Sequence, residues 1–162
     1  RSDFIHPRVE PEIAFRLSKD ITQPIVLSEV LEYVNGIAAA LEVIDSRYEN
    51  FKFSLEDVVA DNCSSAAFVL GVFQEPKAVL TDLDMALLIN GKSVEKGSSN
   101  DILGNPWKSL VAASELAYKY GLPLKAGHIV LAGAATSAHF INENDEIAAE
   151  VAELNSVFFR VI

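Results

Sequence analysis

The chain has 162 residues, a net charge of −10 and a sequence pI near 4.7, and half of its residues are hydrophobic. This length fits one domain with a sizeable core, and the apolar fraction argues against disorder. The acidic balance, with no local basic cluster, excludes nucleic acid as an expected partner and favours an enzyme or a cation-binding protein.

The single cysteine, Cys63, excludes an intramolecular disulfide. The sequence therefore predicts a reducing, cytoplasmic compartment, and we expect Cys63 to be a buried, unreactive thiol. No apolar run reaches the roughly 20 residues that span a bilayer, and the first residues do not resemble a signal peptide. We therefore expect no contact with a membrane.

The first third of the chain predicts two strands around a short helix. Residues 7–17 alternate between apolar and polar side chains, which is typical of a strand. Pro11 indicates an edge or irregular position in that strand, because proline lacks an N–H. A helix is expected over 29–35, with Gly36 as its stop. The apolar run 37–45 then predicts a buried strand that contains one acid.

The middle of the chain predicts a mixture of short elements. A helical turn is expected over 55–60, followed by a short strand over 66–71. Residues 85–97 predict a β-hairpin, because Asn90 and Gly91 favour the type I′ turn that matches the twist of the flanking strands.

The last third predicts the clearest helix of the chain and three further strands. Asn105 is suited to cap the helix and Gly121 to stop it. Strands are expected over 126–134, 145–154 and 156–162. Because strands outnumber helices, the sequence predicts a β-rich α+β domain.

Three acids stand out in the predicted strands. Glu10 and Glu12 are two residues apart, so they share a strand face with their backbones roughly 7 Å apart. Glu42 has only apolar neighbours, and burial of an unpaired carboxylate is costly or forces protonation. Three carboxylates suit a hard divalent cation such as Mg²⁺ or Mn²⁺. A solvated strand face with alternating glutamates explains the E-x-E pattern as well.

Other patterns of catalytic chemistry are weak. The histidines, His6, His128 and His139, do not have the spacing of zinc ligands. The chain has neither a glycine-rich phosphate loop nor a G-x-S-x-G motif. The stretch "AGAATSA" has side chains small enough for a ligand to approach backbone N–H groups, although loose packing explains it equally well.

Five stretches in order carry a family resemblance: "HPRVEPEIAF", "LEVIDSRYENFKF", "VVADNCSS", "LGNP" and "LKAGHIVLAGAATSA". Together they resemble the hydratase/decarboxylase family of the fumarylacetoacetate hydrolase superfamily, over essentially the whole chain. Its members include 2-keto-4-pentenoate hydratases and 4-oxalocrotonate decarboxylases of meta-cleavage pathways for aromatic compounds. The resemblance implies a β-rich mixed-sheet roll of the fumarylacetoacetate hydrolase C-terminal type, with a few flanking helices.

The same resemblance assigns site residues. It implies that Mg²⁺ or Mn²⁺ is bound by Glu10, Glu12 and Glu42. It further implies catalytic roles for Asp61 and Ser64 and contacts with the substrate for Asn62 and Thr136.

The resemblance also implies an activity on a small 2-oxo acid. The first expectation is decarboxylation of 4-oxalocrotonate (2-oxo-3-hexenedioate) to 2-hydroxypenta-2,4-dienoate, because "DSRYENFKF" and Thr136 resemble the decarboxylases more than the hydratases. The alternative is a 2-keto-4-pentenoate hydratase. Family members form homo-oligomers, and the decarboxylases associate with a partner hydratase.

Two departures from the family leave a third alternative, an inactive or non-catalytic relative. Ala132 stands where many members have serine or threonine. The family's N-terminal K-x-G-x-T-S motif, whose lysine is thought to serve the acid–base step, does not occur in the chain. Residues 1–162 are therefore expected to form a single catalytic-type domain that lacks the family's N-terminal region.

Overall fold

Nine strands and three α-helices form the fold in a computed structural model that describes residues 3–162. The strands are β1 (Arg8–Leu17), β2 (Val34–Ile44), β3 (Ser65–Leu70), β4 (Asp84–Ile89), β5 (Lys92–Ser98), β6 (Ile129–Leu131), β7 (His139–Phe140), β8 (Glu146–Val151) and β9 (Ser156–Arg160). The helices are α1 (Val30–Tyr33), α2 (Leu55–Ala60) and α3 (Trp107–Lys119). The expected β-rich α+β fold class is confirmed.

The strands form two sheets, and the pairs between described strands are antiparallel. The first sheet has the order β3-β2-β1-β6, with β7 also paired to β1. The second has the order β5-β4-β8-β9. Strand β2 packs against β8 and β9, so the core lies between the sheets. Its largest fully buried side chains are Trp107, Phe15, Ile13, Leu17, Ile37, Leu41, Leu80, Met85, Leu87, Leu110, Ile147 and Leu154.

Strand β1 is the centre of the first sheet, and its neighbour on one side is interrupted. There β6 pairs with residues 14–16 of β1 and β7 pairs with residues 8–9. Pro11 lies at the gap between these two strands, where a missing N–H costs no ladder hydrogen bond. Pro11 thus lies at an irregular position, as predicted, but in an interior strand and not at the edge of the sheet. The gap gives loop 132–138 access to one face of β1.

The short helix before β2 is smaller than predicted. The helix expected over 29–35 is a 3-10 turn followed by the four-residue α1, and Val34 is already extended. Gly36 lies inside β2 and does not stop a helix. A Cβ atom at Gly36 would lie 2.9 Å from the Phe73 ring, so close side-chain packing is the reason for glycine at this position.

The structure forms the predicted hairpin turn and the hydrogen bond expected of a cap at Asn105, whereas other local predictions differ from it. Asn90 and Gly91 both have positive φ, at 52° and 74°, as the predicted type I′ turn requires. The Asn105 side chain accepts a hydrogen bond from the Trp107 N–H, which agrees with its predicted capping role. The strand expected over 126–134 is only three residues long, and β7 was not predicted. Cys63 is exposed, so the expectation of a buried thiol was wrong.

Gly97 of β5 brings the second sheet close to loop 132–138. A Cβ atom at this position would overlap the backbone carbonyl of Ala135, which cannot move independently of its chain. We expect Gly97→Ala to lower the free energy of unfolding by about 1–3 kcal/mol, measured by urea denaturation. Gly36→Ala is the matched control and should cost less, because the Phe73 ring can rotate away. Equal losses in the two variants would contradict this interpretation.

Candidate metal centre and its surroundings

The pairing of β1 with β2 brings the three predicted acids together. Glu10 is directly opposite Glu42, and Glu12 is opposite Ala40 two residue pairs further along. One carboxylate oxygen from each of Glu10, Glu12 and Glu42 lies within 4.8 Å of the other two. The structure therefore forms a compact cluster, here called the glutamate cluster, from residues on two strands.

The glutamate cluster does not lie on a solvated strand face. Glu12 is only 2% exposed, and Glu10 and Glu42 are half-buried. Within residues 3–162, none of the three forms an ion pair with a lysine, arginine or histidine. Three acids close together without a basic partner repel one another, so the arrangement is unfavourable when all three are ionised.

Two hydrogen bonds from other segments orient the carboxylates. The Gly133 N–H donates to Glu12 Oε2 at 2.6 Å, and the Ser65 hydroxyl donates to Glu42 Oε1 at 2.6 Å. Gly133 has a φ of +106°, which favours glycine, and it lies where the chain leaves β6 beside the gap in β1. Ser65 was not predicted as a donor, whereas Gly133 lies in the small-residue stretch "AGAATSA", whose backbone N–H groups were expected to be accessible.

Burial and mutual repulsion shift the acidity of two of the glutamates. Burial, and to a smaller extent the Glu42 carboxylate, raises the pKa of Glu10 to about 7. Burial raises the pKa of Glu12 to about 9, with further increases from Glu42 and Glu10, although the Gly133 N–H acts in the opposite direction. Both residues therefore favour a bound positive charge, either a proton or a metal ion.

The donor set fits a hard divalent cation. Carboxylate oxygens are the ligands that Mg²⁺, Mn²⁺ and Ca²⁺ prefer, whereas structural zinc sites use cysteine and histidine. Three oxygens within 4.8 Å of one another can contact one ion and leave positions for other ligands. The cation would also offset the burial and the repulsion that raise the pKa values of Glu10 and Glu12.

Asp61 and Ser64 form a separate buried polar group at the end of β2. Asp61 is 3% exposed and Ser64 is 2% exposed. Asp61 Oδ2 accepts hydrogen bonds from the Ser46 hydroxyl, the Arg47 N–H and the Ser64 hydroxyl, at 3.1–3.2 Å. Asp61 Oδ1 is paired with the Arg47 guanidinium.

The pKa of Asp61 reflects these contacts. Burial acts to raise it, but hydrogen bonds from Arg47 and Ser64 and the charge of Arg47 together hold it below its usual range. Asp61 is thus an ionised, fully hydrogen-bonded carboxylate, unlike the acids of the glutamate cluster.

The two predicted substrate contacts lie on the segments that support the glutamate cluster. Asn62 is exposed, and its side chain donates to the Ser65 carbonyl at 3.5 Å. Thr136 is half-buried, three residues after Gly133, and its hydroxyl donates to the Ser137 carbonyl at 3.2 Å. Their segments reach the cluster through Ser65 and Gly133, but contact with a substrate remains a prediction.

Comparison with known proteins finds relatives that are named as decarboxylases and hydratases. A 4-oxalocrotonate decarboxylase of Pseudomonas sp is 45% identical over 156 residues, which cover 96% of this chain and 61% of that protein. A 2-keto-4-pentenoate hydratase of Burkholderia vietnamiensis (strain G4 / LMG 22486) is 33% identical over 162 residues, 96% of this chain and 61% of that protein. The chain thus spans about three-fifths of the length of these relatives.

A solved structure agrees with the sequence comparisons. The 4-oxalocrotonate decarboxylase from Pseudomonas putida G7, complexed with magnesium and adipate, matches with a TM-score of 0.92 and 35% identity, over 99% of this chain and 62% of that one.

The described helices include none with the length and hydrophobicity needed to span a bilayer. A model of the fumarylacetoacetate (FAA) hydrolase C-terminal family matches residues 2–162, and the chain belongs to that family.

Proposed function

We propose that this chain provides the metal- and substrate-binding part of a divalent-cation-dependent lyase that decarboxylates 4-oxalocrotonate. The observation that carries the proposal is the glutamate cluster, in which Glu12 is buried and Glu10 and Glu42 are half-buried, and which has no basic partner among the described residues. The 45% identity to a 4-oxalocrotonate decarboxylase supports the choice of substrate.

Glu10, Glu12 and Glu42 would hold the cation, with Mg²⁺ or Mn²⁺ as the proposed ion. The magnesium and adipate bound by the Pseudomonas putida G7 relative support both the ion and a six-carbon dicarboxylate ligand. When bound, such a cation is a Lewis acid that stabilises negative charge developing on the 2-oxo oxygen of the substrate. Gly133 and Ser65 keep the carboxylates of Glu12 and Glu42 in place.

The proposed reaction breaks the bond between C5 and C6 of 2-oxo-3-hexenedioate. C6 leaves as CO₂, and the bonding electron pair forms the C4–C5 double bond. The original C3–C4 double bond shifts to C2–C3, and one proton is taken up at the 2-oxo oxygen. The product is 2-hydroxypenta-2,4-dienoate, so atoms and charge balance.

The test of this function is turnover by the full-length protein with Mg²⁺. We expect CO₂ release from 2-oxo-3-hexenedioate, and loss of that activity in excess EDTA with recovery on addition of Mg²⁺ or Mn²⁺. Hydration of 2-hydroxypenta-2,4-dienoate without CO₂ release would favour the second candidate, a hydratase, which the 33% identical relative supports. Absence of both activities would support an inactive relative.

Ser65 gives a smaller test of the glutamate cluster. Its hydroxyl orients Glu42, and hydrogen-bond partners of metal ligands are commonly worth about 10–100-fold in metal affinity or activity. We expect Ser65→Ala to weaken Mg²⁺ binding about tenfold in calorimetric titration. Ser93→Ala, at an exposed serine in β5, is the control and should leave the affinity unchanged. Equal affinities in Ser65→Ala and wild type would argue against the metal site.

The assembly is also a proposal. By family resemblance we expect a homo-oligomer that associates with a partner hydratase. Light scattering of the full-length protein, alone and with that hydratase, checks both expectations.

A further inference from the structure

Arg8 lies beside the glutamate cluster on the same strand face. It precedes Glu10 by two residues in β1, so both side chains project from the same side of the sheet. Its partner on β2 is Ile44, next to the Glu10–Glu42 pair on that face. The rise of a strand places Arg8 about 7 Å along the sheet from Glu10.

Two aromatic rings lie against the Arg8 guanidinium. Its central carbon lies 4.2 Å from the ring centre of Phe51 and 4.2 Å from that of Phe140. Phe140 is the partner of Arg8 on β7, and Phe51 has a left-handed φ of 56°. His6 stacks on the Phe51 ring at 4.9 Å. Stacking covers the faces of a guanidinium and leaves its N–H groups, which lie along the edge, able to donate.

These donors lack protein partners among residues 3–162. Arg8 forms no ion pair within 4.0 Å and no hydrogen bond there, and its Nε is buried without an acceptor. Arg16 on the same strand is different. It also stacks on a ring, that of Phe73, but its Nε donates to Asn35 at 2.8 Å. A buried donor without an acceptor is unfavourable unless a ligand supplies one, and guanidinium groups favour carboxylates.

We propose that Arg8 binds the distal carboxylate of a dicarboxylic 2-oxo acid whose keto-acid end is held at the glutamate cluster. This inference rests on the proposed function and adds the residue that selects a diacid over a monoacid. Five carbon–carbon bonds of about 1.5 Å span roughly 6 Å between the terminal carbons of a six-carbon diacid. The backbones of Glu10 and Arg8 are about 7 Å apart along the strand, so a ligand of this length is comparable with the spacing of the two residues.

The test compares two unreactive acids of equal length, 2-oxoadipate and 2-oxohexanoate, which differ only at the distal end. Calorimetric titration of the full-length protein with saturating Mg²⁺ measures the affinity for each. We expect the wild type to prefer 2-oxoadipate by at least about tenfold, as a charge-assisted hydrogen-bonded pair predicts. Arg8→Gln should abolish that preference and leave the affinity for 2-oxohexanoate within about twofold of wild type. Arg16→Gln is the matched control and should retain the full preference.

A second variant covers the case in which Arg8→Gln does not fold. Phe140 is 53% exposed, so Phe140→Leu should fold while removing one ring from Arg8. We expect it to reduce the preference for the diacid about threefold or more. An undiminished preference in either folded variant, or equal weakening of both acids, overturns the role of Arg8. If neither acid binds wild-type protein with Mg²⁺, the proposed function itself fails, and this inference fails with it.

Discussion

Replacing Glu12 by glutamine is expected to remove metal-dependent activity and, in the absence of metal, to stabilise the protein at alkaline pH. Glutamine has nearly the shape of glutamate but carries no charge, so the variant separates the two roles of a buried carboxylate. Partners of metal ligands alone are worth about 10–100-fold. Loss of the ligand itself should therefore reduce kcat/KM by at least about 100-fold.

The stability effect follows from the raised pKa of Glu12. Its pKa in the folded protein is about 9, against 4.5 for an ordinary glutamate, so the folded state binds the proton more tightly than the unfolded state. At a pH between these two pKa values, residue 12 is ionised in the unfolded chain but protonated in the folded protein. The free energy of unfolding of the metal-free protein therefore falls as the pH rises. Glutamine removes this loss. In EDTA we expect Tm of Glu12→Gln to exceed that of wild type by on the order of 5 °C at about pH 8.5.

Lower pH and added Mg²⁺ should each remove or reverse the Tm difference between wild type and Glu12→Gln, which makes the test specific. At about pH 4, below the ordinary glutamate pKa of 4.5, position 12 is largely neutral in the folded and the unfolded state of both proteins, so the Tm difference should nearly vanish. Saturating Mg²⁺ should raise the Tm of wild type at about pH 8.5 and leave Glu12→Gln almost unchanged. Glu150→Gln, at an exposed glutamate on β8, is the control and should show neither effect. Full activity in Glu12→Gln would contradict the metal site.

The sequence predicted correctly those elements that depend on neighbouring residues. Its predictions were wrong or missing where contacts with residues distant in sequence determine the local structure. The Asn90–Gly91 turn and the Asn105 cap depend on neighbouring residues, and both form as expected. Gly36 has the sequence context of a helix stop, but its partner is Phe73, which lies far along the chain. Strand β7 has only two residues, too few to show an alternating pattern, and exists because β1 pairs with it.

In the candidate site, too, local spacing was predictable from the sequence, whereas contacts between distant residues were not. The E-x-E spacing placed Glu10 and Glu12 on one face, but spacing could not place Glu42 opposite Glu10; family resemblance suggested that contact and the β1–β2 register provides it. The Gly133 and Ser65 donors come from loops whose positions depend on the whole fold. The stacking of Arg8 between two rings likewise depends on segments that are distant in sequence.

Asp61→Asn is expected to destabilise the protein more than any other single substitution considered above. The buried carboxylate accepts from two hydroxyl groups, one backbone N–H and one guanidinium, and thereby joins the end of β2 to residues 61–65. An amide group cannot accept at its nitrogen, so at least one of these donors would face another donor. Ser64→Ala removes only one donor and should cost about 1 kcal/mol.

The pH dependence of the Tm difference between wild type and Asp61→Asn tests whether the charge of Asp61 causes the loss of stability. Its pKa is lowered in the folded state, so its ionised form stabilises the protein above the usual carboxyl range, and that stabilisation is lost as the pH falls through the lowered value. The Tm difference between wild type and Asp61→Asn should therefore be full at neutral pH and shrink only in strong acid.

The same variant distinguishes a positioning role of Asp61 from the catalytic role that family resemblance assigns. Residues 61–65 carry Ser65 to Glu42, so a positioning role predicts weaker Mg²⁺ binding together with the lowered Tm. The value of kcat at saturating Mg²⁺ and substrate should then stay within about tenfold of wild type. An unchanged Tm and Mg²⁺ affinity with a far larger loss of kcat would instead show that the Asp61 carboxylate acts directly on the substrate.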